Sequence, residues 1–243
     1  MRKRLFFIFV LLMILTTGLW AAEIDLSKLA NHTNYEAKNG DVLTGSTNTC
    51  TVTIAANATV TLKGVNIIGY VYCIQCKGSA IIILADGTEN TLTSQDSMTP
   101  AIMVGDAGTT LTIKGKGILN ATGSNNCAGI GCSRRKTCGN INIEDGIINA
   151  IGGEWAAGIG SGYNGSCGAI TIKGGTITAV GGQMAAGIGV GRGGSCGAIT
   201  IAKDVTKVVA YSGEYASCNS IAAAFDESGA SVTIEDESKV TQN

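Results

Sequence analysis

The sequence predicts an all-β chain: a single-domain, right-handed parallel β-helix with three-strand coils of about 29 residues in its regular part. Repetition is the first observation behind this. "AAGIGSGYNGSCGAITIKGG" from Ala156 to Gly175 returns as "AAGIGVGRGGSCGAITIAKD" from Ala185 to Asp204, an offset of 29 residues. The same offset separates "AGIG" at Ala128, Ala157 and Ala186, and "CG" at Cys138, Cys167 and Cys196. Composition is the second: 35 Gly, one Pro and 5% aromatic residues suit short strands punctuated by tight turns. Alternation is the third, since "AITI" at Ala169–Ile172, "TITAV" at Thr176–Val180 and "AGIGV" at Ala186–Val190 give three short segments per period, separated by glycine-rich corners. No leucine consensus and no amphipathic helical stretch supports the competing solenoids.

Each segment then takes its place along the chain. Residues 1–22 read as a signal peptide: Arg2, Lys3 and Arg4 precede the apolar run Leu5–Leu15, and Ala21 and Ala22 supply the small-residue cleavage site. An exported chain, secreted or at the cell surface, without membrane insertion is the consequence. Residues 23–45 are assigned to an N-terminal cap, with Ile24, Leu26 and Leu29 at near-helical spacing, because an open solenoid end exposes unpaired strand edges. Residues 46–127 form less regular coils, in which "TVTI" at Thr51–Ile54, "AIIIL" at Ala80–Leu84 and "TLTI" at Thr110–Ile113 alternate in the same way. Residues 128–213 hold the regular 29-residue repeats, and 214–243 the last coil and C-terminal cap. Stacking turns each inward position into a column of like residues, Ile130, Ile159 and Ile188 being one and Ile148 and Ile177 the start of another.

Nine cysteines in an exported chain invite disulfides, but Cys138, Cys167 and Cys196 share one column and an odd total cannot pair completely. A cysteine ladder is therefore expected ahead of a Cys167–Cys196 bridge, since in-register stacking gives a tolerable distance but a poor torsion. Cys73 and Cys76 form C-x-x-C without a second pair at zinc-ligand spacing.

Catalytic groups are sparse. The single histidine, His32, lies outside the repeats, so a Ser-His-Asp or Cys-His site in the helix body is excluded. Acidic residues are scattered and form no repeated column in the regular coils. A net charge of -1 from 17 basic and 18 acidic residues gives no reason to expect nucleic acid as a partner.

Surface columns carry more information. Alignment of the repeats places Arg134, Tyr163 and Arg192 together after "AGIG", with Arg134, Arg135 and Lys136 forming a basic run. Before "AGIG", the segments "GEWAA", "GQMAA" and "GEYAS" align Glu154, Gln183 and Glu214 as a polar column beside Trp155, Met184 and Tyr215, the last interval being 31 residues. Two readings are open: the rings stack sugars while the carboxylates and amide bond their hydroxyls, or the rings cover an apolar corner. The column Thr178, Asn149, Asn120 breaks a threonine ladder and argues against an ice-binding face.

"LKGVNI" at Leu62–Ile67, "IILADGTENTLTS" at Ile82–Ser94, "LTIKGKGILNATG" at Leu111–Gly123 and the "AGIG" repeats resemble the secreted bacterial right-handed β-helix surface proteins. Their wider group includes a calcium-containing, carbohydrate-binding β-helix module related in architecture to pectate lyases. The resemblance implies calcium as a cofactor, with Asp86, Glu89, Asn90 and Asp96 as its oxygen ligands at a turn. This chain departs from that pattern at "TSQDS", which moves the next acid away from the strand, and an Asp-Gly turn with a solvated Glu is the plainer expectation.

These readings converge on a non-catalytic, monomeric extracellular protein that binds polysaccharide, or another cell-surface ligand, through Glu154, Trp155, Tyr163, Gln183, Arg192, Glu214 and Tyr215. The alternatives are a polysaccharide lyase or hydrolase, and an adhesin-like structural protein with a protein partner.

Overall fold

A computed structural model describes residues 22–69, 71–95, 98–224 and 231–243, so the expected signal peptide lies almost wholly outside the described residues. The described chain is a right-handed parallel β-helix, with no α-helix among its elements. The strands pair in parallel from coil to coil, which builds three faces and a short side ladder of Ser166–Cys167 on Ser195–Cys196.

The first face stacks Ala58–Leu62, Ala80–Leu84, Thr110–Gly115, Asn140–Ile143, Ile170–Ile172, Ile199–Ile201 and Val232–Ile234. The second face stacks Glu89–Ser94, Ile118–Thr122, Ile147–Ile151, Thr176–Val180, Lys207–Tyr211 and Val240–Gln242. The third is an eight-stranded sheet that narrows to two residues per coil at Ile130–Gly131, Ile159–Gly160 and Ile188–Gly189. Strand Ala58–Gly69 runs across a corner, pairing its first half on the first face and its second half on the second.

Period-two alternation explains the core. On the first face Val60, Ile82, Ile113, Ile143, Ile172 and Ile201 oppose one another in register, all with no solvent exposure. The expected column Ile130–Ile159–Ile188 is present, as is Ile148–Ile177. Branched aliphatic side chains stacked at the rung spacing, about 4.8 Å, contact like neighbours above and below. No single coil could bury its own apolar side, so stability comes from the stack.

Coil length rises from the N-terminal end, reaches 31 residues from Ala80 to Leu111 and 30 from Thr110 to Asn140, and then settles at 29. Glu23 opposes Val42 and Val42 opposes Thr61, intervals of 19 residues; Ala58 to Ala80 is 22; Ile141 to Ile170 and Ile170 to Ile199 are 29. In the 29-residue coils the residues added relative to the 22-residue coil sit in the two corners that flank the third face. The 31-residue interval after "GQMAA" has another origin: Thr176 opposes Lys207 while Ile172 opposes Ile201, so the two extra residues lie in the corner between the first and second faces.

Glycine has a steric role beside those corners. Gly131, Gly160 and Gly189 have φ of 146°, 135° and 115°, and a Cβ on any of them would fall closer than 3.0 Å to the carbonyl oxygen of the next coil. The third face is thus held so close-packed that only hydrogen fits there.

Near the N-terminus the near-helical spacing proves to be a strand followed by one 3-10 turn, Glu23–Asp25 and Leu26–Lys28. The strand pairs with Val42–Thr44, and the turn is closed by the Asp25 carboxylate accepting from the Ser27 N–H. Leu26 is buried beneath the first coils.

The expected cysteine ladder is corrected. Cys167 and Cys196 are disulfide-bonded, with a Cα–Cα distance of 4.6 Å, and Cys132 is bonded to Cys138 within one corner. Cys167 and Cys196 lie opposite each other in a small side ladder, Ser166–Cys167 on Ser195–Cys196, so adjacent rungs bring both sulfurs together on the inner side of the corner. Cys138 keeps its column position, Thr137 opposing Ser166 one coil on, but its sulfur is bonded to Cys132 of its own loop. Cys73 and Cys76 are buried thiols, and burial pushes both up to about 12, so they remain protonated at neutral pH.

Candidate functional site

The two corners on either side of the third face carry the surface columns. Because that face is only two residues wide in the regular coils, the loop before it and the loop after it approach each other. Backbone bonds tie the two loops across coils: Tyr163 N–H donates to the Asn126 carbonyl at 3.0 Å, and Arg192 N–H donates to the Trp155 carbonyl at 3.0 Å. Within the later loop, Arg135, Asn164 and Gly193 take left-handed φ of 56°, 49° and 65° at the same turn position. Asn and Gly suit that geometry, whereas Arg135 adopts it inside the ring closed by the Cys132–Cys138 bridge.

Side chains from both corners then interleave. The Arg134 guanidinium lies over the Tyr163 ring at 5.3 Å, and the Arg192 guanidinium lies over the Trp155 ring at 5.3 Å and over Tyr163 at 6.0 Å. Trp155 and Tyr163 meet edge-on, ring centroids 5.0 Å apart and planes inclined by 60°. All four side chains are half-buried. Each guanidinium–ring contact is worth about 0.5–1 kcal/mol at such a site, and the set fixes the guanidinium groups rather than leaving them to sweep through solvent. The faces of Tyr163 and Trp155 are thereby engaged within the protein. All four side chains keep part of their surface open to solvent, although Arg134 Nε is buried without a hydrogen-bond partner.

The column Arg134–Tyr163–Arg192 was legible in the repeat alignment; the meeting of Trp155 with Tyr163 was not, since they belong to different columns. The two-residue width of "AGIG" is the signal that could have revealed it. Glu154, Gln183 and Glu214 are exposed along the earlier corner, aligned by Met184 N–H donating to the Glu154 carbonyl and Tyr215 N–H to the Gln183 carbonyl. Tyr215, 61% exposed, presents its ring to solvent beyond Met184. Beside the stack, Met98, Ser133, Arg134, Arg135 and Lys136 line a shallow recess, so the basic run borders a hollow rather than a flat corner.

The residues considered for calcium do not converge. Asn90 is fully buried, pointing into the coil in register with Leu119, where its Oδ1 accepts from the Val65 N–H and its Nδ2 donates to the Ile118 carbonyl. Asp86 is exposed at the Asp-Gly turn. The Glu89 carboxylate is exposed and accepts from Asn120 Nδ2 at 2.7 Å. Asp96 lies outside the described residues. Among the described residues no group of three or more His, Cys, Asp or Glu side chains is placed to hold a metal ion. Of the described members of this set, Asn90 does not fit a calcium site, because both ends of its amide are engaged inside the core.

A family description, the beta helix repeat, matches the chain at residues 111–134, 141–163 and 170–189. The three matched blocks coincide with consecutive coils of the stack and include Arg134, Trp155 and Tyr163. No curated protein and no solved structure matches the chain. No helix among the described residues is long and apolar enough to cross a membrane.

Proposed function

We propose that this protein is a non-catalytic extracellular β-helix that binds polysaccharide along the ridge formed by its two glycine-rich corners. The observation that carries the reading is the interleaved stack Arg134–Tyr163–Arg192–Trp155, which spans successive coils. Such a stack holds a line of oriented N–H donors at coil spacing, suited to hydroxyl and carboxylate oxygens repeated along an extended chain. Exposed Glu154, Gln183 and Glu214 add acceptors beside it, and Tyr215 adds an open ring for a sugar face. Arg135 and Lys136 at the recess favour a glycan bearing acidic groups. Export by the N-terminal segment would bring the protein to such a ligand.

Native affinity electrophoresis through soluble polysaccharides, with neutral and acidic members, tests the proposal while the same mixtures are assayed for new reducing ends and unsaturated products. Retardation without products is expected. Arg192→Gln and Trp155→Ala should each weaken it about tenfold, the loss of one or two cation–π and hydrogen-bond contacts. Migration unchanged by every glycan would overturn the reading, and product formation would replace it with an enzymatic one.

A further inference from the structure

The outer surface of the second face carries a pattern that the corner site does not use. Alternation turns three residues of each five-residue strand outward, giving three columns along the helix axis. One reads Glu89, Ile118, Ile147, Thr176, Lys207 in direct register. The middle column reads Thr91, Asn120, Asn149, Thr178, Val209, and the third Thr93, Thr122, Ile151, Val180, Tyr211. Ile147, Ile151 and Tyr211 are 41%, 45% and 39% exposed, large for apolar side chains on one flat sheet. Asn149 Nδ2 donates to Asn120 Oδ1 at 2.8 Å and Asn120 Nδ2 donates to Glu89 Oε1 at 2.7 Å, so the half of the face nearer Glu89 is linked by side chains. Across these five rungs the charged members are Glu89 at one end of the first column and Lys207 at the other, with one further rung of the face beyond each, at Asn66–Gly69 and at Val240–Gln242. Four rung steps, about 19 Å, separate the two charges, too far for an ion pair within one chain.

This charge order is self-complementary. A two-fold axis parallel to strand Ile147–Ile151 and midway between two facing sheets reverses the order of rungs while keeping each column opposite itself. Glu89 of one copy then meets Lys207 of the other, twice. Ile147 and Ile151 meet their own counterparts at the centre, and Thr93 meets Tyr211. We infer that the second face is an isologous dimer interface whose occupant is a second copy of this chain, stacked sheet on sheet and antiparallel along the helix axis. Five rungs of five residues cover about 400 Å² per copy, about 800 Å² in all, short of the roughly 1,200–2,000 Å² of a stable complex, so the dimer is weak and reversible. The corners that carry the arginine–aromatic stack remain outside this interface, and the inference stands independently of any glycan.

Sedimentation velocity of the purified chain over a concentration series reads the outcome. Concentration-dependent dimer is expected, weakened about tenfold by Glu89→Lys or by Lys207→Glu, because each reversal turns two attractive pairs into two repulsive ones. The double variant Glu89→Lys/Lys207→Glu restores the parent affinity within about twofold, since the exchanged charges again face each other. Ile147→Lys with Ile151→Lys abolishes the dimer, and circular dichroism checks that these exposed substitutions leave the fold intact. A chain that stays monomeric at every concentration overturns the inference, as does a dimer indifferent to the charge reversals. So does a double variant no tighter than the single ones.

Discussion

Replacing Gly160 by alanine places a methyl group against the Gly189 carbonyl of the next coil, closer than the 3.0 Å that Cβ atoms keep. That carbonyl also accepts a hydrogen bond from the Ser161 N–H at 2.8 Å, so it cannot retreat without weakening the bond, a loss of about 1 kcal/mol. The φ of 135° adds a conformational cost of about 1–2 kcal/mol for an L side chain. Overpacking of a closed interior adds about 1–2 kcal/mol more. Gly160→Ala should therefore destabilise by about 3–5 kcal/mol, a fall in Tm of about 6–20 °C for a chain of this size. Gly87→Ala is the control: its φ is 68°, but nothing lies within 4 Å of the added Cβ, so only the conformational cost of about 1 kcal/mol, or about 2–4 °C, applies. Differential scanning calorimetry of the two variants at one scan rate makes the comparison. Equal shifts, or a Gly160→Ala Tm within about 3 °C of the parent, would refute the account of the third face as sterically closed.

Removing the Cys167–Cys196 bridge, which closes 29 residues, should lower stability by about 3–4 kcal/mol, against about 2 kcal/mol for the Cys132–Cys138 bridge with its separation of 6; urea titration of the two paired serine variants compares them. Asn90→Ala should cost about 2–3 kcal/mol by orphaning the Val65 N–H and the Ile118 carbonyl, and thermal melts with and without calcium should give the same difference for parent and variant. The alkaline limb should be steep. Burial and the Asp41 carboxylate, which accepts from the phenol at 2.8 Å, push Tyr35 from 10.0 to about 12, so the folded chain holds this proton more tightly than the unfolded one. Its contribution is present below pH 10 and is lost as pH rises from 10 to about 12; Tyr35→Phe should flatten that part of a Tm–pH curve without changing its slope at neutral pH.

Much of the architecture was legible because a stacked coil repeats its environment as it repeats its sequence. Ile130, Ile159 and Ile188 occupy equivalent positions, so their spacing alone discloses the column. Asn90 was legible for the same reason and was overridden by its turn-like neighbours: in "ENTLTS" it alternates with Leu92 and Ser94, and all three point inward. Oxygen chemistry suggested a ligand, but alternation decides which way the oxygen points. The disulfide was harder to read, since a column position fixes the distance between Cys167 and Cys196 but not the path of the side ladder that turns their sulfurs together. Trp155 and Tyr163 were separated by the repeat alignment, because alignment compares coils and their contact runs across the narrow third face within one coil. The 31-residue interval showed that residues had been added but not which corner held them.

Mechanical load would meet this molecule unevenly. A β-helix pulled from its ends peels coil by coil, and a coil of 29 residues would pay out roughly 100 Å of contour when drawn straight. The covalent link between Cys167 and Cys196 joins two consecutive coils at equivalent points, so the length between them is withheld from extension for as long as the link survives. Tension arriving from either terminus passes through the bridge instead of through the backbone bonds of that coil. Arg192 therefore lies inside a loop that cannot be unreeled and Tyr163 stands four residues before it, whereas no such bridge spans two coils at the N-terminal end among the described residues.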